Sequence, residues 1–179
     1  VTETTTEPAD ATTRPSRDEV QWLGESEQIA WRTFIFGATS ILDRLSQVLE
    51  SDPRIDLTLS EYEILVRLSE SEHHRMRMSD LADRVVHSRS RLTHTVSRME
   101  KRGLLARVRC VADGRGREAA LTDEGMALLE RAAPIHVQSV RDVLLDPLGH
   151  DDFLELGRIV GRTLGHEVPC LPASTSHGR

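Results

Sequence analysis

Between Ser88 and Arg98 the chain reads Ser-Arg-Ser-Arg-Leu-Thr-His-Thr-Val-Ser-Arg, a run whose side chains suit a polyanion. The short hydroxyls of Ser88, Ser90, Thr93 and Ser97 allow close approach to phosphates. Arg89, Arg91 and Arg98 can fork onto a phosphate or a guanine edge, with His94 beside them. Spacing sorts these residues by face. Leu92, Val96 and Met99 recur at i, i+4 and i+7, so on a helix they form one apolar stripe. Ser90, Arg91, His94, Ser97 and Arg98 then fall opposite it, flanked by Arg89 and Thr93. Further on, Asp113-Gly114-Arg115-Gly116-Arg117 is a basic turn between two segments of strand character. Arg115 at its tip is the right kind of side chain for a minor groove, where a narrow groove concentrates negative potential. Arg77 and Arg117 are candidates for phosphate contact, as is Ser79 besides capping a helix.

Charge singles out the same stretch. Residues 73–117 hold twelve Lys and Arg against four acids, a balance of +8 inside a chain whose formal net charge is −6. An acidic protein with one concentrated basic block is built to meet a polyanion with that block. No phosphate loop, nucleophile elbow, metal triad or paired-carboxylate arrangement is visible, so an enzyme is not expected, nor a cofactor. Cys110 and Cys170 form no disulfide framework. His73-His74 have no carboxylate or Cys partners at metal-ligand spacing, so no metal site is expected. No apolar run approaches the roughly 20 residues of a membrane span, and the N-terminus has no secretion signal, which predicts a cytoplasmic protein without a membrane partner.

The elements that must hold these side chains are mostly helical. With 38% hydrophobic but only 3% aromatic residues, the core must be aliphatic. Residues 1–18 read as a disordered tail. Apolar residues at helical spacing predict a long helix over about 19–52, ended by Asp52-Pro53. Residues 53–122 form the DNA-binding lobe. A capping box at Ser60-Glu61-Tyr62-Glu63 starts its first helix, and 70–77 reads as a loop. Ser79 caps a short helix over 80–86, His87-Ser88 is the turn, and Ser88 caps a helix over 89–102 that Gly103 closes. A short hairpin pairs 106–111 with 118–121. Thr122 caps a helix towards Leu145 that Pro134 must kink or divide. A break at Pro147-Leu148-Gly149 precedes a last helix at 150–165, and 166–179 is a loose tail.

This order of parts resembles the winged helix-turn-helix regulators of the MarR (multiple antibiotic resistance regulator) family. The residues carrying the likeness are Leu81-Ala82, the Ser88–His94 run, Arg98-Met99-Glu100-Lys101-Arg102-Gly103-Leu104, the Asp113–Arg117 turn and Leu121-Thr122-Asp123-Glu124-Gly125. Ala133-Pro134-Ile135-His136 followed by Val140-Arg141 resembles a branch of the family, and the match spans about 20–165. The resemblance implies a mainly α fold with a small two-stranded β-wing and dimerisation helices at 19–52 and 123–165. It also implies that Asp113 pairs with the wing arginine and directs it. The apolar faces of the long first helix and the late helices exceed what the middle segment can cover, which independently favours a homodimer. Such a dimer would present two reading helices roughly 34–36 Å apart to a pseudo-palindromic duplex operator. The expected function is a repressor that blocks a promoter and is released by a small ligand.

The signal is less legible than the DNA. Trp22, Trp31, Arg32 and His136 could line a crevice for a small aromatic or anionic effector, against the plainer reading of ordinary packing. Cys110 could serve a redox-responsive regulator, although a lone strand cysteine is more often a small hydrophobe. A winged-helix module for protein contacts is the other alternative. The absence of a cysteine early in the first helix argues against the peroxide-sensing branch of the family.

Overall fold

The computed structural model describes residues 20–85, 89–109 and 116–164. In chain order these form α1 (Glu25–Ser51), α2 (Leu59–Ser69), a 3-10 turn (Glu72–His74), β1 (Arg75–Arg77), α3 (Met78–Arg84) and α4 (Arg89–Lys101). There follow β2 (Leu105–Arg109), β3 (Arg117–Leu121), α5 (Asp123–Val140), a π-wound turn (Arg141–Leu145), the short α6 (Asp146–Leu148) and α7 (His150–Thr163). The expected tails, the turn at Val86-His87-Ser88 and the wing tip with Cys110, Asp113 and Arg115 lie outside the described residues.

The chain divides within α1 into an N-terminal unit through Ala38 and a second unit from Thr39 onward. In the first, Glu27 accepts the Gly24 backbone N–H at 2.7 Å, closing the helix start. Its large apolar side chains, Ile29, Trp31, Phe34, Ile35 and Phe36, are exposed. The Trp31 and Phe34 rings lie 6.2 Å apart. The second unit contains the core, where Leu49, Ile64, Leu65, Leu68, Leu81, Leu92, Val96, Met99 and Ala132 gather from five helices.

The sequence reading and the structure agree on most helix bounds, because each rests on a local stop. α1 ends at Ser51, one residue before Asp52-Pro53. Asp52 accepts hydrogen bonds from the Arg54 guanidinium and backbone N–H, which hold its carboxyl at about 2. Thr122 caps α5 by accepting the Gly125 N–H at 3.0 Å. Gly103 takes a left-handed φ of 76°, so the Leu104 N–H can turn back to the Met99 carbonyl at 3.0 Å.

Three expectations are corrected. The capping box of α2 is Thr58 with Glu61, not Ser60 with Glu63. Both pairs fit the same spacing, and the helix begins two residues earlier, where buried Glu61 accepts from the Thr58 N–H and from Arg98. Ser79 does not cap α3: the helix already begins at Met78, and the Ser79 hydroxyl donates to Asp80 Oδ1 at 2.9 Å. The segment read as a loop over 70–77 supplies a strand, so the sheet has three strands in the order β1-β3-β2, all antiparallel. Arg-Met-Arg is too short to show a period, but pairing Met76 with Ala119 buries both. That pairing also explains how β3, weak in propensity, holds as the central strand. Pro134, expected to kink or divide its helix, lies within α5, which is not divided there and runs to Val140 before the π-wound turn.

One junction fixes the lobe. The Thr122 hydroxyl donates to the Gly103 carbonyl at 2.7 Å, and its N–H to the Leu104 carbonyl at 3.2 Å. The next turn of α5 passes so close that a methyl on Gly125 would run into the Leu104 carbonyl oxygen and come 2.8 Å from Leu121 Cδ1. The end of α4, the start of β2 and the start of α5 are thereby locked to one another.

Candidate nucleic-acid interface

The predicted division of α4 into two faces is what the fold contains. Leu92, Val96 and Met99 are buried, and on the other side Ser90, Arg91, Thr93, His94 and Arg98 are exposed. Arg89 is the first residue of the helix. Thr95 stands at the boundary, nearly buried, with its hydroxyl donating to the Arg91 carbonyl at 3.1 Å. Arg117 is exposed at the start of β3, in register with Arg109 of β2, so two cations flank the base of the wing. Arg77 is half-buried where β1 passes into α3, and Ser79 is exposed one turn on. Ser88, Asp113 and Arg115 belong to the expected site but lie outside the described residues.

Two contacts tie the expected face to the rest of the lobe. Arg98 Nε donates to Glu61 Oε1 at 2.9 Å, and Ser97 Oγ accepts from Arg107 Nη2 at 2.7 Å. Neither Glu61 nor Arg107 stood out in the sequence. Their partners lie 37 and 10 residues away, beyond any local pattern. The one available signal was Glu61 itself, an acid at a position that helical spacing sends inward with Leu65 and Leu68.

The expected ligand residues belong to both units of the chain. Trp22 precedes α1 and is 69% exposed, Trp31 is exposed on α1, and Arg32 donates to Gln28 Oε1 at 3.2 Å, all within the N-terminal unit. His136, in the second unit, packs on Tyr62 with ring centroids 4.4 Å apart. It lines a recess of about 290 Å³ with Leu42, Leu45, Leu59, Tyr62 and Val66, and with Glu63, Arg67 and Glu70 among the other lining residues. Burial pushes the His136 pKa below its usual range, and among the described residues its buried Nδ1 has no hydrogen-bond partner. Burial, then the charge of Glu70, pushes the Tyr62 hydroxyl up. His73 lies 3.5 Å from Glu72, and His74 Nδ1 is 2.9 Å from the Ser69 carbonyl. Among the described residues no three His, Cys, Asp or Glu gather as a metal site, and no helix is long and apolar enough to cross a membrane.

A buried-stripe helix presenting a basic face, preceded by a short helix and followed by a small antiparallel sheet, defines a winged helix-turn-helix lobe. A family model for the MarR family matches residues 57–116. The HTH-type transcriptional regulator PecS of Dickeya dadantii (strain 3937) is 31% identical over 113 residues, covering 63% of this chain and 68% of that protein. Two MarR family transcriptional regulators from Streptomyces coelicolor are similar in structure. Sco3205, crystallised in complex with DNA, has 41% identity and a TM-score of 0.74, covering 82% of this chain and 96% of its own. AbsC has 41% identity and a TM-score of 0.74, covering 81% and 96%. The chain belongs to the MarR family of transcriptional regulators.

Proposed function

We propose that the chain acts as a homodimer on a pseudo-palindromic duplex operator, as a repressor released by a small ligand. The observation that carries the reading is the two-faced α4: its apolar stripe is buried, and Ser90, Arg91, Thr93 and His94 face outward. Such a helix fits a major groove, with Arg91 and His94 reading base edges and Ser90 and Thr93 close to phosphates. Arg89, Arg77, Ser79 and Arg117 are placed or typed for the flanking backbone. Arg115, supported by Asp113, and Ser88 are carried into the reading by residue type alone. That the similar regulator Sco3205 was crystallised in complex with DNA supports DNA as the partner.

The dimer is inferred from what one copy leaves uncovered. Exposed apolar residues crowd the N-terminal unit, Trp22, Leu23, Ile29, Trp31, Phe34 and Phe36 among them. Leu154, Leu156 and Ile159 of α7 are also exposed. Patches of this kind are normally covered by a partner, and a second copy offers the same two surfaces in return. For the effector, the recess at His136 fits a small planar molecule, aromatic or anionic. Leu42, Leu45, Leu59 and Val66 give it apolar walls, the Tyr62–His136 pair offers a stacking surface, and Arg67 offers a cation beside the carboxylates of Glu63 and Glu70. Binding there would act on DNA only through unequal affinity for two poses of the lobe.

The test is selection of duplexes from a random pool by the full chain, followed by footprinting. Protection of two half-sites about one helical turn apart supports the reading. Recovery of no preferred sequence would overturn it.

A further inference from the structure

The reading helix is tied on two sides by charged groups that DNA contact does not require. On one side stands Glu61 of α2, whose side chain is only 2% exposed. A carboxylate that deep needs several partners to offset its desolvation. Glu61 Oε2 accepts from the Thr58 N–H at 3.0 Å and the Thr58 hydroxyl at 3.2 Å, completing the cap of α2. Oε1 accepts from Arg98 Nε at 2.9 Å, and Arg102 Nη1 lies 3.5 Å from Oε2. Arg102 also donates to the Asp56 carbonyl at 2.8 Å. On the other side Arg107 reaches back from β2. Its Nη2 donates to Ser97 Oγ at 2.7 Å and to the Thr93 carbonyl at 3.3 Å, and its Nε lies 3.5 Å from Glu100 Oε2.

We propose that Glu61 and Arg107 are positioning residues for DNA recognition: they set the rotation and height of α4, and Arg98 serves the operator through Glu61. The proposal rests on the DNA-binding reading above. One carboxylate closes the α2 cap and grips the C-terminal turn of α4, so that end of α4 cannot rotate without opening the cap. Arg107 fixes the same helix to the strand that carries the wing, so the two DNA-facing parts move together. Both bonds leave one nitrogen, Nη2, at the far tip of the guanidinium, beyond the position that the shorter lysine side chain would bring its ammonium to.

The sign of the effect separates positioning from plain electrostatics. Glu61 is a negative charge beside a polyanion-binding helix. If it acted only by charge, Glu61→Gln would strengthen binding to every duplex. As a positioning residue, its loss weakens binding to the selected operator while random-sequence duplex binds as well as before or better.

The experiment measures the affinity of the full chain for its pool-selected duplex and for a random-sequence duplex of equal length, across a salt series. Glu61→Gln keeps a capping side chain for α2, and Arg107→Lys keeps its charge, so the second variant stands if the first folds poorly. Each is expected to lower the ratio of the two affinities by about tenfold or more. The salt slope should stay unchanged, because no phosphate contact is lost. Arg98→Gln is expected to do the same, and combining it with Glu61→Gln should add little. A slope shallower by about 0.9 in Arg98→Gln would make Arg98 a direct phosphate contact and overturn its part. Wild-type discrimination in folded Glu61→Gln and Arg107→Lys would overturn the whole proposal and leave the DNA-binding reading standing. Failure of the unaltered chain to select any duplex would remove both.

Discussion

Arg91 and Arg98 differ by seven residues and two turns of one helix. Arg91, His94 and Arg98 are all exposed on the face that a groove would meet, and Arg98 also donates to a buried acid. Replacing Arg91 or His94 with Ala is therefore expected to relax sequence preference by about tenfold while random duplex loses little, as binding to base-substituted operators would show. Equal weakening on all sequences would reduce them to phosphate contacts. His136 makes a different prediction, about pH. Its folded pKa lies below the ordinary value of 6.5, so the unfolded chain takes up the proton first as pH falls. Stability linked to this group is complete above about 6.5 and is lost as pH drops through the folded pKa. His136→Gln should flatten that part of the urea-midpoint profile between pH 7 and 5 relative to the unaltered chain, and an identical profile would contradict it.

At the scale of elements the lobe depends on the junction where Thr122 and Gly125 meet the end of α4. Gly125→Ala would force the first turn of α5 away from the Leu104 carbonyl, opening the start of β2. A loss of roughly 1–3 kcal/mol is expected from such overpacking, read as a lower urea midpoint; an unchanged midpoint would argue against the close approach. The ends of this junction were legible in the sequence because each is a local signal, Gly103 for the left-handed cap and Thr122 for the N-cap. The apolar stripe of α4 was equally legible, since three residues at helical spacing suffice to show a period. β1 was not: its three residues alternate once, and only the long-range partner Ala119 makes them a strand. Glu61 and Arg107 were hidden for the same reason, because an ion pair across 37 residues leaves no pattern in either neighbourhood. The choice between Thr58 and Ser60 as the cap of α2 was ambiguous locally, and the long-range contact of Glu61 with Arg98 goes with the Thr58 start.

For the whole molecule, the proposed dimer and its DNA site stand or fall together, since two half-sites need two reading helices. Phe36, 77% exposed in the single chain, is a direct probe. Phe36→Glu is expected to shift sedimentation from dimer to monomer and to cut operator affinity at least tenfold, through loss of the second half-site. A mutant that sediments like the unaltered chain would remove Phe36 from the interface. The central claim, that the +8 block reads DNA, is tested most directly by a salt titration of binding to the selected and random duplexes. Between about 50 and 200 mM salt, log affinity for both should fall linearly and steeply, with the selected duplex bound more tightly throughout. An affinity that ignores salt, or equal affinities for the two duplexes, would contradict it.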